Sequence, residues 1–294
     1  MPELSLSLLI QFIANGFVVG MYYTLLALGL SIIFGLIGVI NLAHGALYAL
    51  GAYAAYVFSR HLGFFPALVL SPLIVAVLAM AIEVTMLRRL YLKDPLLSLL
   101  LTFGLAMVVE QLLRMIFGAA GLPFDIPQRL QGFVRFGMFP YSRYRLFLLI
   151  VGILVIALLW WFLERTPYGR IIRAGTRDPE MVRILGIRLA PVFTAVFGIG
   201  AAMAGLAGVI SAPLAGVEPA MGTAVGTAAF VVVVIGGMGS FWGPVIAGLL
   251  VGEIVSLFVL LYPPAADASM FLLMALVLLL RPRGLLGERW EKFE

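Results

Sequence analysis

Among the charged side chains inside or at the edge of long apolar runs, Glu83, Glu110, Arg114 and Glu253 each need a chemical reason to be there. An ionisable group at a bilayer centre costs about 2.5–3.5 kcal/mol on insertion scales. Glu110 and Arg114 stand one helical turn apart with the acid first, the favourable order for mutual neutralisation. Glu83 is close enough to the end of its run to reach the membrane interface or Arg88. Glu253 has no partner nearby in sequence; it either lines a polar route or, the favoured reading, bonds a neighbouring helix. Of the two histidines, His44 and His61, neither has a second ligand at metal-binding spacing, so no metal site is expected. The chain has no cysteine, which removes thiolate centres and disulfides. The patterns H-E-x-x-H, G-x-S-x-G and the Walker A loop are absent. Work against a gradient would therefore draw on a partner protein or an ion gradient.

The elements that hold these residues follow from composition. Hydrophobic residues make up 63% and charged residues 11% of the chain, and mean hydropathy is +1.14, against roughly 45–50% apolar and 25% charged in soluble domains. Runs near the length of about 20 residues that a bilayer core demands occur at 8–33, 66–87, 95–117, 145–163, 190–214, 241–261 and 266–280, with shorter ones at 44–59 and 223–235. They are apolar all round and lack the alternation of a membrane barrel. The sequence predicts an all-α, polytopic integral membrane protein, a single domain over 1–294, with roughly eight transmembrane helices and interrupted segments. The N-terminal MPELSLSLLIQF has no basic stretch of the kind that opens a cleavable signal, so the first run is expected to remain as a helix.

The net charge of +5 reads as topology, with no nucleic-acid face. Arg88, Arg89 and Lys93 follow the third run, six arginines from Arg165 to Arg188 follow the fifth, and Arg281, Arg283, Arg289 and Lys292 close the chain. Short basic loops stay in the cytoplasm. The N-terminus is then outside and the C-terminus inside, leaving Arg60 and the 118–144 loop, with Arg129, Arg135, Arg143 and Arg145, as the external minority. That loop, rich in Gly, Pro and aromatics, is expected to form a short interfacial helix or hairpin.

Two breaks interrupt the apolar pattern. FGLIGVINLAHG at 34–45 carries Gly35, Gly38, Asn41, His44 and Gly45, and IGGMGSFWGP at 235–244 carries Gly236 and Gly237. Interrupted segments in both halves of a membrane chain point to a solute route, although each alone is equally a tight loop. The first is expected to form a turn or half-helix that partly re-enters the membrane. Small residues recur at four-residue spacing at Gly200, Ala204 and Gly208, at Ala201 and Gly205, and at Gly248 and Gly252, a pattern that lets helix backbones approach closely.

The basic island at 166–190 reads differently from its surroundings. Asp178 can cap a helix that starts at Pro179, with Glu180 beside the positive helix end. Met181, Ile184 and Leu185 fall on one apolar stripe, and Gly186 suits the C-terminal cap. Two turns of helix do not persist alone. Interfacial membrane helices present larger apolar faces, so a groove on a cytosolic subunit is the expected partner.

The chain resembles a known family, the permeases of branched-chain amino acid ABC importers of the LivH type. The resemblance rests on Asn41-Leu42-Ala43-His44-Gly45 with Gly51-Ala52-Tyr53, on Gly169, Arg173-Ala174, Asp178, Met181 and Leu185-Gly186-Ile187, on Ala204-Gly205-Leu206-Ala207-Gly208, on Gly236-Gly237-Met238-Gly239 and Gly243-Pro244, and on the final Arg281-Pro282-Arg283-Gly284-Leu285-Leu286-Gly287. It implies an all-helical permease in the bacterial cytoplasmic (inner) membrane. It also implies a second homologous permease, two cytosolic ATPase subunits that bind the ATP, an external or periplasmic solute-binding protein, and an amino acid as substrate. No cofactor belongs to this chain. Residues 173–187 correspond to the family's coupling loop, giving Arg173, Asp178, Met181, Ile184 and Leu185 docking roles. Asn41, His44, Gly236, Gly237 and Glu253 are the candidate pathway lining. The chain departs from the family pattern at Arg177, where an acid or amide is common, and at Val182, where alanine is common. Urea or short amides are the alternative solutes. An ion-coupled secondary transporter, with Glu253 as its proton site, is the rival that needs no ATPase, and an intramembrane enzyme would need a nucleophile, base or metal set that the sequence lacks. Whether the two permeases are identical stays open.

Overall fold

The computed structural model describes residues 6–91, 93–136 and 139–287. Arg289 and Lys292 of the basic C-terminal set, and residues 1–5, lie outside the described residues. The helices are α1 (Leu6–Ile37), α2 (His44–Leu62), α3 (Phe64–Thr85), α4 (Pro95–Phe117), α5 (Arg143–Arg165), α6 (Pro167–Arg177), α7 (Pro179–Ile184), α8 (Leu189–Ala215), α9 (Met221–Gly236), α10 (Trp242–Leu261) and α11 (Ala266–Leu280). Among the described residues, seven helical stretches, on α1, α3, α4, α5, α8, α10 and α11, are long and apolar enough to cross a membrane, and α9 is a shorter apolar helix. The protein is thus an all-α polytopic membrane protein. α2, which carries Arg60 and His61 in its last turn, stands outside that set of seven.

Burial divides the bundle into centre and periphery. In α1 and α8, 67% of the most apolar stretch is buried within the chain, against 17% in α4, in α5 and in the segment ending with α11. Small residues make the centre possible. Gly200 of α8 meets Gly29 of α1, Gly205 and Gly208 face Gly51 and Tyr48 of α2, and Gly248 and Gly252 of α10 lie on Thr24 and Gly20 of α1. A methyl group at any of these glycines would run into the neighbouring backbone or side chain, and close packing is the main source of helix association in lipid. The rows at four-residue spacing therefore pack inside this chain.

The first break does more than reverse direction. After Ile37 the chain turns through Gly38 (φ +73°), runs without helix to Asn41, and starts α2 at His44, whose ring bonds Leu26 of α1 at 3.0 Å. Leu26 lies about three turns before α1 ends, so α2 begins inside the bundle. Outside it, the 118–144 loop contains the expected hairpin, β1 (Phe133–Phe136) against β2 (Phe139–Ser142), antiparallel with Phe133 opposite Ser142. Leu122 pairs with Val217 through two backbone hydrogen bonds of 2.7 and 3.0 Å, pinning this loop to the α8–α9 linker.

Candidate functional site

The start of α2 opens onto a cavity of about 270 Å³ bounded by α1, α2, α4 and α9. That volume is close to the lower end of small-molecule pockets, roughly 300–1,000 Å³. Its apolar walls include Leu30, Phe103, Met107 and Phe230, and its polar residues are Asn41, His44, Glu110, Thr223 and Thr227. Asn41 and His44 are both 2% exposed. The Asn41 Oδ1 atom accepts from the Ala43 amide at 3.0 Å, tightening the turn into α2, while its Nδ2 has no partner. A carbonyl can only accept, so the bond to Leu26 is donated by His44 Nε2, and Nδ1 is left as an acceptor without a partner. Buried polar groups are nearly always paired. Here one donor and one acceptor are unpaired on two residues, three positions apart, that line one cavity.

Glu110 and Arg114 form the expected pair at 2.7 Å. The second Glu110 oxygen accepts from Thr223 of α9 at 3.0 Å, a contact the sequence does not announce because Thr223 belongs to a distant run. Another threonine, Thr102, accepts from the Leu42 amide at 3.2 Å. The loosely packed α4 is thus held to both sides of the cavity by polar ties.

The remaining pathway candidates lie elsewhere. Gly236 packs on Gly243 and Pro244, and Gly237 (φ +99°) is met by Arg283 and Gly287 of the C-terminal tail. The tail donates from Leu285 and Leu286 to the carbonyls of Ile235 and Gly236 at 2.8 and 2.9 Å. The second break is therefore filled by the chain's own backbone. Glu253 lies against Gly16 of α1, and its Oε1 has no hydrogen-bond partner among the described residues. It is also absent from the lining of the α1–α2–α4–α9 cavity.

Glu83 reaches Arg88 at 2.9 Å as expected, but the network is wider. The fully buried carboxylate also accepts from Tyr91 at 2.8 Å and from Thr194 of α8 at 2.7 Å. Burial first, then the bond donated to Glu83, pushes the Tyr91 phenol well above its ordinary pKa. This satisfied carboxylate locks the end of α3 to α8 beside the basic island.

The island folds into α6 and α7. Thr166 caps α6, accepting from the Gly169 amide at 3.0 Å. Asp178 caps α7, accepting from the Met181 amide at 2.9 Å, Pro179 takes the first helical position, and Gly186 adopts φ +79° beyond the end. Of the apolar residues on α7, only Val182 is buried, at 3%, while Met181, Ile184 and Leu185 are 52, 74 and 71% exposed. Arg173 is not part of that stripe. It donates to the Leu163 carbonyl at 2.6 Å and pairs with Glu164 at 2.6 Å, bracing α6 against α5.

A helical bundle with a small internal cavity and an exposed capped stub between two spans fits a membrane permease, and comparison with known proteins makes it a component of an amino-acid-type ABC transporter family. The chain belongs to the family described as branched-chain amino acid transport system / permease component, which matches residues 12–280. It is 31% identical over 304 residues to the high-affinity branched-chain amino acid transport system permease protein BraD of Pseudomonas aeruginosa, covering 98% of each chain. With the permease protein LivH of the corresponding Escherichia coli system it shares 30% over 299 residues, 95% of each chain. LivM of Salmonella typhimurium is 31% identical over 296 residues, 90% of this chain and 68% of that one. Among solved structures, PsaBC from Streptococcus pneumoniae in complex with a Fab shares the fold, with a TM-score of 0.51 at 12% identity over 92% of this chain and 90% of that one.

Proposed function

We propose that this chain is the membrane subunit of a bacterial importer for branched-chain amino acids, driven by two cytosolic ATPases that dock on α7. The observation that carries the reading is the exposed stripe of Met181, Ile184 and Leu185 on a helix capped at both ends. A helix this short needs tertiary contacts, and here Val182 supplies the inner anchor while the outer face offers three large apolar side chains to a partner. α6 and the Arg173 brace make the stub rigid enough to pass motion to α5 and α8. Asp178 acts through the cap, and Arg173 positions the stub. The basic loops put α7 and the C-terminus in the cytoplasm and the 118–144 hairpin outside, where a solute-binding protein delivers substrate.

The cavity at Asn41 and His44 suits a small zwitterion. An ammonium can meet His44 Nδ1 and the Glu110 carboxylate, a carboxylate can accept from Asn41 Nδ2, and an aliphatic side chain fits the Leu30, Phe103 and Phe230 walls. A second, homologous permease completes the membrane pair. Replacing Asp178 by Ala together with Met181 by Asp is expected to abolish uptake of radiolabelled leucine and co-purification of the ATPases, while the permease still accumulates in the membrane. Normal uptake by that double variant would refute docking through α7.

A further inference from the structure

A pair of cavities adjoins α5, away from the Asn41 site. One, of about 300 Å³, runs between α1, α5 and α10 and is almost wholly apolar, with Met21, Ile153, Ile156 and Leu249 among its lining. The other, of about 320 Å³, lies at the α6 end of the same helices and is lined by Thr176, Arg173, Arg177 and Ser240. Trp160 and Trp242 line both, so the two form one groove with an apolar length and a cationic mouth. Indole rings favour the level where lipid chains meet headgroups. Glu164, the acidic residue of the mouth, is neutralised by Arg173, and Arg177 makes no ion pair among the described residues. One positive charge is left over at the polar end.

We propose that this groove binds an anionic phospholipid, its headgroup phosphate on Arg177 and one acyl chain between α1, α5 and α10. Charge complementarity selects the occupant: basic pockets between membrane helices hold anionic headgroups, and a facing protein helix would bury Arg177 without an acid to meet it. The lipid would sit directly under α6, the helix that carries α7. The inference uses only the groove and its charge and stands independently of the substrate and of the ATPase reading.

The test uses the full chain purified in detergent, in a Trp161→Phe, Trp290→Phe background so that Trp160 and Trp242 are the remaining tryptophans. Quenching by dibrominated phosphatidylglycerol is compared with quenching by dibrominated phosphatidylcholine. The expected result is saturable quenching at several-fold lower concentration of the glycerol lipid. Arg177→Gln should weaken it about fivefold, the effect of one basic residue at a lipid surface, and Arg89→Gln, an equal charge loss elsewhere on that side, should leave it unchanged. Ala157→Phe, which fills the groove from an exposed position on α5, should weaken both lipids with an unchanged melting temperature. Equal affinity for the two lipids, or equal losses in the Arg89 and Arg177 variants, would overturn the headgroup site. Quenching untouched by Ala157→Phe would overturn the groove, and loss of a dimer in that variant would assign the groove to a second copy of this chain instead.

Discussion

The break after α1 and the break after α9 use the same residue types to opposite ends. At the first, a six-residue stretch (38–43) runs without helix back into the bundle, and the two polar side chains at its end keep one unpaired atom each beside a cavity. At the second, no buried side-chain polar atom among the described residues is left unpaired, because the C-terminal tail donates to the carbonyls that end α9. Glycine serves close backbone approach in both, but only the first leaves unpaired polar atoms beside a cavity. An interrupted helix is therefore a route for solute only where no other part of the chain has already filled the gap.

The largest effect that sharpens this contrast is at Gly237. Gly237→Ala faces the cost of a left-handed conformation, about 1–2 kcal/mol, and a Cβ that collides with the tail backbone, with the Arg283 carbonyl 3.0 Å away; overpacking adds about 1–3 kcal/mol. Gly38→Ala at the first break carries only the backbone cost, since a Cβ there meets nothing within 4 Å. The melting temperature should fall distinctly further in the Gly237 variant, with transport per folded molecule retained. Equal falls would show that the tail clasp adds nothing.

The next effect is at Asn41. Asn41→Ser keeps a side-chain oxygen to accept from the Ala43 amide, as serine does in turns of this kind, and removes the Nδ2 donor. If that donor meets the substrate carboxylate, a charged hydrogen bond of about 1.5–3 kcal/mol is lost, and KM for leucine uptake should rise about tenfold or more with little change in melting temperature. A drop in stability with unaltered KM would make Asn41 a turn residue only and bring the two breaks back to one kind.

What the sequence shows and what it hides divide by distance along the chain. The caps of α7 are legible because Asp178, Pro179 and Gly186 act on their immediate neighbours, and the Glu110–Arg114 and Glu83–Arg88 pairs are legible for the same reason. Thr223 on Glu110 and Thr194 on Glu83 are separated from their partners by 113 and 111 residues, and a threonine in an apolar span carries no local sign of what it will meet. The tail's Gly284 and Gly287 stand out as glycines, yet only the folded bundle shows that they meet Gly237. The α6 helix has its signal in Thr166-Pro167, a capping residue followed by proline, the same pair of devices that opens α7 at Asp178-Pro179. The cavity itself depends on α4 and α9 leaning together over α2, a relation no periodicity encodes.

The smallest effect is at Glu253, and it separates the two energy sources. Its carboxylate lies outside the α1–α2–α4–α9 cavity, against Gly16, with Oε1 unpaired. Glu253→Gln preserves the shape and removes the acid. In a permease driven by docked ATPases nothing in transport depends on a proton there, so the uptake rate should stay within about twofold and the melting temperature should hold or rise slightly, because an unpaired charge in lipid is the costlier group. An ion-coupled carrier behaves otherwise: the same change would stop accumulation against a gradient and abolish proton-driven uptake by the isolated chain in vesicles. The measurement is leucine uptake with ATPases present and, separately, with a pH gradient alone. Loss of the first in the Glu253 variant would place a titrating group in the transport cycle and move the functional centre from the Asn41 break to the α1–α10 seam.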